Sequence, residues 1–180
     1  MESAVLNLDQ YLNSSPVSVK IEGLNKSFGD HHVLKGIDLD IPSGETMVIL
    51  GKSGSGKSVL LRHIIGLEIP DSGRILIDNE QIDPADLHTK HRIAMVFQSS
   101  ALFNSLTVEE NVALYLREHR IFKDKQQISR LVTDALTIVG LEEAEDKYPS
   151  QLSGGMKRRV ATARAIVMNP DLMLFDEPTS

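Results

Sequence analysis

The stretch Gly51-Lys52-Ser53-Gly54-Ser55-Gly56-Lys57-Ser58 decides the fold. Its glycines permit a positive φ, so that successive backbone N–H groups turn inward and form a nest for an anion. The apolar run Thr46–Leu50 precedes it and predicts a strand covered on both faces in a parallel sheet. The run Val59–Leu67 follows it and predicts a helix whose positive end faces the anion. A strand, a glycine loop and a helix in this order indicate a phosphate-binding loop.

The spacing Gly-x-x-x-x-Gly-Lys-Ser is that of the Walker A motif, which binds nucleotide phosphates. We expect Lys57 to reach the β- and γ-phosphates and the Ser58 hydroxyl to ligate Mg²⁺. The expected ligands are therefore ATP and Mg²⁺. The predicted nucleotide-binding residues of the loop are Gly51, Lys52, Ser53, Gly54, Ser55, Gly56, Lys57 and Ser58.

The composition of the 180-residue chain is that of one ordinary globular domain, 41% hydrophobic and 24% charged. Its net charge of −6 argues against a nucleic-acid partner, because no overall positive field attracts phosphate backbones. The chain contains no cysteine, which excludes disulfides and thiolate metal sites. No apolar run approaches the roughly 20 residues that cross a bilayer, and residues 1–16 lack the basic start of a signal peptide.

The hydrophobic pattern alternates between strands and helices along the chain. Apolar residues at every second position predict strands at 17–21 and 33–41, and a capping box at Thr107 and Glu110 begins a helix. Further predicted elements are strands at 74–77, 93–97 and 172–175 and helices at 128–139 and 155–168, the first of these helices ending at Gly140. We expect a leader at 1–17 and a mixed α/β domain at 18–180 with a helical subdomain at about 100–168.

The apolar run Leu172–Phe175 ends in two carboxylates, Asp176 and Glu177. Ligands of open α/β sheets bind at the carboxyl ends of strands. We expect Asp176 to ligate Mg²⁺, directly or through water, and Glu177 to polarise the water that attacks the γ-phosphate. An Asp-Glu pair after a strand is by itself a common solvated turn, but the upstream Walker A motif favours the catalytic interpretation.

The segment Leu152-Ser153-Gly154-Gly155-Met156 opens a predicted helix that carries three cations in its first turn, Lys157, Arg158 and Arg159. Cations at a helix N-terminus oppose the helix dipole, and such a local conflict often marks a functional site. An anion bound to Ser153 and the glycine amides would resolve the conflict. Taken alone, Ser-Gly-Gly is only a good helix start.

These motifs together resemble the nucleotide-binding subunits of ABC transporters, over about residues 18–180. Leu152–Met156 is similar to the signature motif, Gln98 to the Q-loop glutamine, and Phe28 to the aromatic residue that stacks on adenine. The resemblance implies an ABC-type P-loop NTPase fold, in which a mixed α/β core carries a helical subdomain. It also implies that Gln98 contacts Mg²⁺ and the attacking water and couples the helical subdomain to membrane subunits.

The resemblance implies two partners. Family members act as head-to-tail dimers, in which the signature of one copy closes over the ATP held by the other. In this chain the residues that would act on the second copy are Leu152, Ser153, Gly154, Gly155 and Met156. An integral membrane permease subunit is the other implied partner. It would hold the protein at the cytoplasmic face of the membrane.

A finer resemblance is to the ATPase of Mla/Mce-type phospholipid transporters. It rests on Gln98-Ser99-Ser100-Ala101-Leu102-Phe103, on Leu116-Arg117-Glu118-His119, and on Met156 where glutamine is commoner. The ATPase of a small-solute importer shares most of these residues. A non-transport ABC ATPase and a nucleotide-binding module without catalysis are further alternatives. The short separation between Gln98 and Leu152 argues against the chromosome proteins that insert a very long coiled coil there.

The last residues are Asp176-Glu177-Pro178-Thr179-Ser180. Family members continue with a D-loop, further strands and a switch histidine that contacts the γ-phosphate, and all six histidines of this chain precede Asp176. We therefore expect the C-terminal part of the fold to be missing. We also expect ATP hydrolysis to belong to a full-length parent, with weak or no turnover by these 180 residues.

Overall fold

The computed structural model describes residues 15–81 and 83–176 of the chain. The chain divides into two compact units between Ile93 and Ala94. Residues 1–14 of the leader predicted at 1–17 and the predicted catalytic Glu177 lie outside the described residues. The predicted helical subdomain at about 100–168 falls within the second unit, and its bounds as a domain stay a prediction.

A four-stranded antiparallel sheet forms much of the first unit. Its strands, in the order β2-β1-β3-β4, are β1 (Val19–Phe28), β2 (His31–Ile41), β3 (Ser72–Ile77) and β4 (Glu80–Gln81). Val19 pairs with Ile41 on one side and with Ile77 on the other. Val19 and Ile21 are buried and Lys20 between them is partly exposed, which confirms the predicted alternation.

The pairing of β1 with β2 contains bulges between Ile21 and Ser27. The Asn25 side chain closes this irregular stretch from within. Its Nδ2 donates to the Gly23 carbonyl oxygen at 2.8 Å, and its Oδ1 accepts from the Gly36 N–H at 2.8 Å. Side-chain bonds of this kind satisfy backbone groups that a bulge removes from the ladder, so β1 continues beyond the predicted strand to Phe28.

Two helices complete the first unit, α1 (Lys57–Ile64) and α2 (Pro84–Lys90). The first confirms the helix predicted after the glycine loop, whereas α2 and β4 were not predicted because both are short and polar. The predicted strand Thr46–Leu50 is wrong. These residues form no strand, and Val48 and Leu50 are 73% and 88% exposed. A strand requires a neighbour for its backbone groups, and no strand of the described ranges pairs with this run.

Three helices and a two-stranded sheet form the second unit. The helices are α3 (Val108–Glu118), α4 (Lys125–Ile138) and α5 (Gly154–Ile166), with 3₁₀ turns at Glu142–Ala144 and Pro149–Gln151, and the strands are β5 (Ile93–Val96) and β6 (Leu172–Phe175). These elements confirm the predicted helices and strands of this region to within a few residues. The predicted capping box is present, since Glu110 N–H donates to Thr107 Oγ1 and Thr107 N–H donates to the Glu110 carboxylate.

The core of the second unit is a cluster of aliphatic side chains from all three helices. Val112, Leu116, Val132, Leu136 and Val160 are fully buried in it. A smaller cluster joins β5 to α5 through Ala94, Val96, Ala161 and Ala165. Within the described ranges, no helix has both the length and the apolar composition that crossing a membrane requires.

Asn111 is the fully buried polar residue of α3. Its Nδ2 donates to the carbonyl oxygens of Phe103, Leu106 and Thr107 at 3.0, 3.1 and 2.9 Å, and its Oδ1 accepts from the Phe103 N–H at 2.9 Å. One side chain therefore fixes the whole loop that enters α3.

We predict that Asn111→Leu lowers the free energy of unfolding by about 2–4 kcal/mol, because buried groups of the loop lose their partners. Urea denaturation measures this change. The control is Thr133→Ala at an exposed position of α4, which removes one exposed bond to Glu145 and is expected to cost at most about 0.5 kcal/mol. Equal effects of the two substitutions would contradict the assigned role of Asn111.

Candidate functional site

The predicted phosphate loop forms an exposed turn that leads into α1. Gly56 is the N-cap residue of α1, with φ 96° and ψ 5°, and no side chain caps the helix. The first turn of α1 contains no acidic residue, and residues 51–55 are exposed. No side chain caps the positive end of the helix dipole, and the loop before it is open to solvent, which is an arrangement suited to binding an anion.

Lys57 folds back over this loop. Its Nζ donates to the carbonyl oxygens of Gly51 and Lys52 at 3.1 and 3.2 Å. The ammonium group is thereby held on the loop by the backbone that surrounds it. In this position it adds a full positive charge to the partial charge of the helix end.

Steric contacts explain why residue 56 is glycine. A Cβ atom on Gly56 would lie 2.9 Å from Val33 Cγ1 and 3.1 Å from Leu34 Cδ2, both on β2. The backbone there is also left-handed, which side chains disfavour. Side chains of β2 therefore lie close to the start of α1, and this contact and the left-handed backbone both favour glycine at position 56.

The structure brings two of the predicted metal-binding residues, Gln98 and Asp176, to one edge of the small sheet. The Asp176 N–H donates to the Val96 carbonyl oxygen at 3.0 Å, so that β5 and β6 end side by side. Gln98 follows β5 and is exposed, while Asp176 is only 9% exposed. Both residues stand at the carboxyl ends of their strands, where open α/β sheets bind ligands, and metal binding by them stays a prediction. Ser58, the third predicted metal ligand, belongs to the other unit.

Phe28 ends β1 and is 46% exposed, so its ring is not a core side chain. The Lys26 ammonium lies 5.3 Å from the centre of this ring. Lys26 is held there by the Ile69 carbonyl oxygen, at 2.7 Å from Nζ. An exposed ring at a strand end has a face for stacking, and adenine stacking by Phe28 stays a prediction.

The predicted signature segment forms the start of α5. Ser153 is the N-cap residue, and its Oγ accepts from the Met156 N–H at 3.2 Å. A Cβ atom on Gly154 or Gly155 would meet nothing within 4 Å, and neither residue has a positive φ. Neither crowding nor backbone conformation within the described chain therefore requires glycine at these two exposed positions. Leu152, by contrast, is buried.

The structure explains one of the three cations at the start of α5. Arg159 Nη1 donates to the carbonyl oxygens of Val139 and Gly140 at 3.2 and 3.1 Å, where α4 ends. A cation at a helix C-terminus is favourable. The predicted repulsion between cations and the positive start of α5 is therefore smaller than the sequence indicates, because Arg159 binds the C-terminal end of α4 instead.

Sequence reasoning missed Arg164 of α5. Its Nη1 donates to the Ala101 carbonyl oxygen at 2.8 Å and its Nη2 to the Ser100 carbonyl oxygen at 3.1 Å. Burial lowers the pKa of this guanidinium. A signal was present in the sequence, since Arg164 stands between two small apolar residues, Ala163 and Ala165, on a helix.

The α/β fold and the uncapped phosphate loop define a P-loop nucleotide-binding protein. The profile of the ABC transporter family matches residues 34–180. The chain therefore belongs to the ABC transporter family and corresponds to its ATP-binding subunit.

Relatives with known names are similar over nearly the whole chain. The glutamate transport ATP-binding protein GluA of Corynebacterium glutamicum is 47% identical over 165 residues, which cover 90% of this chain and 68% of that protein. The sulfate/thiosulfate import ATP-binding protein CysA of Synechocystis is 44% identical over a region that covers 90% of this chain and 45% of that protein. The chloroplastic protein TRIGALACTOSYLDIACYLGLYCEROL 3 of Arabidopsis thaliana is 43% identical, with coverages of 93% and 51%. This chain thus spans about half the length of two of these relatives.

Solved structures agree with this assignment. The chain is similar to cbiO1 from Clostridium perfringens, described as part of the ABC transporter complex cbiONQ, with a TM-score of 0.78, 38% identity and coverages of 89% and 65%. It is also similar to the ATP-binding cassette MJ0796 in a dimeric post-hydrolysis state bound to ADP and Pi, with a TM-score of 0.80, 35% identity and coverages of 89% and 74%.

We predict that Gly56→Ala lowers the free energy of unfolding by about 2–4 kcal/mol, because the new methyl group collides with Val33 while the backbone is left-handed. The matched control is Gly54→Ala. Gly54 has φ 78° but open space around it, so only the conformational cost of about 1–2 kcal/mol applies. Chemical denaturation compares the two variants. Equal losses would show that contact with β2 does not set the loop.

Proposed function

We propose that this chain is part of the ATP-hydrolysing subunit that powers an ABC transporter. The observation that carries the proposal is the phosphate loop, where the uncapped start of α1 and the Lys57 ammonium form a positive, exposed cradle. The dimeric cassette bound to ADP and Pi, a relative of known structure, supports a nucleotide in this cradle.

The residues present fit a magnesium ion. Mg²⁺ prefers oxygen ligands and is commonly held by one or two carboxylates together with substrate phosphates. Asp176 offers a carboxylate, Ser58 a hydroxyl and Gln98 an amide oxygen. When bound, Mg²⁺ would neutralise charge on the β- and γ-phosphates.

The proposed reaction is attack by water on the γ-phosphate. The water oxygen forms a bond to the γ-phosphorus as the bond to the bridging oxygen of the β-phosphate breaks, and ADP leaves. Glu177 accepts the proton of the water, Gln98 orients that water, and Lys57 stabilises the phosphate charge. Phe28 is proposed to stack on the adenine ring.

A second copy of the chain is the first proposed partner. Gly154 and Gly155 stand at the exposed start of α5, where neither has a contact that requires glycine. Glycine at such positions permits close approach of a ligand to the backbone. A phosphate group held by the loop of another copy would bind here, which supports the head-to-tail dimer.

A permease subunit is the second proposed partner, and it would hold the protein at the cytoplasmic face of a membrane. The second unit carries a groove of about 330 Å³ lined mainly by apolar side chains, among them Met95, Leu114 and Met168. Phe103 also lines this groove and is 53% exposed. An exposed apolar groove of this kind supports a protein partner.

Two classes of cargo are proposed. The segments at 98–103 and 116–119 and Met156 support a phospholipid system of the Mla/Mce type, and one relative bears a lipid in its name. Relatives named for sulfate and glutamate transport support the alternative, a small-solute importer. The neighbouring genes test the choice. A permease gene beside an Mce-type lipid-binding protein favours phospholipid, whereas a gene for a solute-binding protein favours the importer.

We predict that Glu177→Gln in the full-length product of the gene retains ATP binding but lowers kcat by at least about 100-fold, because the proton acceptor is lost. ATP turnover and equilibrium binding measure the two effects. Lys57→Ala is expected to lose binding itself. Glu143→Gln on an exposed 3₁₀ turn serves as the control with unchanged turnover. Turnover by Glu177→Gln at the parent rate would contradict the assignment of the base.

We predict that Gly154→Val prevents the ATP-dependent dimer without destabilising the monomer. The open space at Gly154 accommodates the side chain, so the free energy of unfolding changes by less than about 0.5 kcal/mol. Sedimentation of the Glu177→Gln protein with ATP, with and without the added substitution, measures dimer formation. A dimer that persists in Gly154→Val would exclude α5 from the interface.

A further inference from the structure

The segment that carries Gln98 is fastened at both of its ends. At its start, the Val96 carbonyl oxygen accepts from the Asp176 N–H at 3.0 Å. The Ser100 N–H then donates to the Phe97 carbonyl oxygen at 2.9 Å, which closes a turn with Gln98 at its tip. Gln98 itself is exposed, and the contacts at the two ends of the turn fix the backbone on either side of it.

Arg164 holds the far end of this turn. Its two terminal nitrogens bind two successive carbonyl oxygens, those of Ser100 and Ala101, from a position 63 residues further along the chain. A guanidinium presents its donors in a rigid fork, so two bonds fix direction as well as distance. Charge-assisted bonds to a partly buried guanidinium are stronger than ordinary ones.

The backbone at the clamped residues is left-handed. Ser100 has φ 62° and Ala101 has φ 45°, although neither is glycine. Non-glycine residues hold this conformation only when surrounding contacts stabilise it, and such residues concentrate at functional sites. The fork of Arg164 supplies two of these contacts, and Ser100 is buried beside it.

Arg164 belongs to α5, the helix that begins at Ser153. The same guanidinium therefore joins the helix of the signature segment to the turn of Gln98. We propose that Arg164 is a positioning residue that sets the place of Gln98 for ATP hydrolysis. This inference rests on the proposed function for its effect on turnover, but the clamp itself does not.

The test compares Arg164→Lys with Arg159→Lys in the full-length product of the gene. Both arginines lie on α5, and each guanidinium binds two successive carbonyl oxygens, but Arg159 binds those at the end of α4. Lysine keeps the charge and loses the fork in both variants. The pair thus separates the loss of a guanidinium on α5 from the loss of the clamp on Ser100 and Ala101.

We expect Arg164→Lys to lower kcat about tenfold while KM for ATP stays within about twofold, because misplacing a catalytic group mainly slows the chemical step. Arg159→Lys is expected to keep kcat within about twofold. In a Gln98→Ala background, Arg164→Lys is expected to change kcat by less than about twofold, since residues that act as a unit are not additive. Equal kcat for the two lysine variants, or a full effect without Gln98, would overturn the proposal.

Amide hydrogen exchange tests the contact of Arg164 with Ser100 and Ala101 without requiring ATP hydrolysis. Arg164→Lys is expected to speed the exchange of the amides at 98–101 about tenfold, and Arg159→Lys is expected to leave them unchanged. If the parent protein does not hydrolyse ATP, the proposed function fails, and exchange alone then decides on the clamp. Unchanged exchange in Arg164→Lys would overturn it.

Discussion

The contact of Val33 and Leu34 with Gly56 is the constraint on which the site depends. Gly56 has φ 96°, a conformation that only glycine adopts at low cost, and a Cβ atom there would lie 2.9 Å from Val33 Cγ1. Strand β2 of the antiparallel sheet thus lies against the residue at which α1 starts. No side chain caps that start, and the Lys57 ammonium lies on the exposed loop that precedes it. The phosphate loop therefore depends on the contact between β2 and Gly56 as well as on the glycine-rich sequence itself.

In the second unit, three polar side chains hold loops and helix ends in place. Two are arginines of α5 and one is an asparagine of α3, and each binds backbone groups where a loop meets a helix. Arg159 binds the end of α4, Arg164 binds the turn after Gln98, and Asn111 binds the loop before α3. Each binds at least two backbone groups at once, and for Asn111 these groups lie in a partly buried loop. The start of α5 is left exposed, with two glycines facing open space. The loops of this unit are thus held by its own side chains, while the start of α5 is open to a partner.

Local sequence motifs predicted many of the helices and strands and the family of the chain. The capping box located α3, the glycine loop located α1, and the resemblance of four motifs gave the family that the comparison confirms. The predicted strand Thr46–Leu50 failed because a strand depends on a distant partner that periodicity does not reveal. Arg164 was missed for the same reason, since its acceptors lie 63 and 64 residues away in sequence. The joint action of the predicted ligands on ATP and Mg²⁺ stays a prediction.

The central claim is that the loop before α1 binds the phosphates of a nucleotide. Titration with ATP and Mg²⁺, followed through the backbone amide signals by NMR, tests it most directly. Binding in the cradle predicts saturable shifts at Gly54, Gly56, Lys57 and Ser58, because these N–H groups lie at the positive end of the helix. Adenosine, which lacks phosphates, is expected to leave those signals in place. Unchanged loop amides at saturating ATP, or equal shifts with adenosine, would contradict the claim.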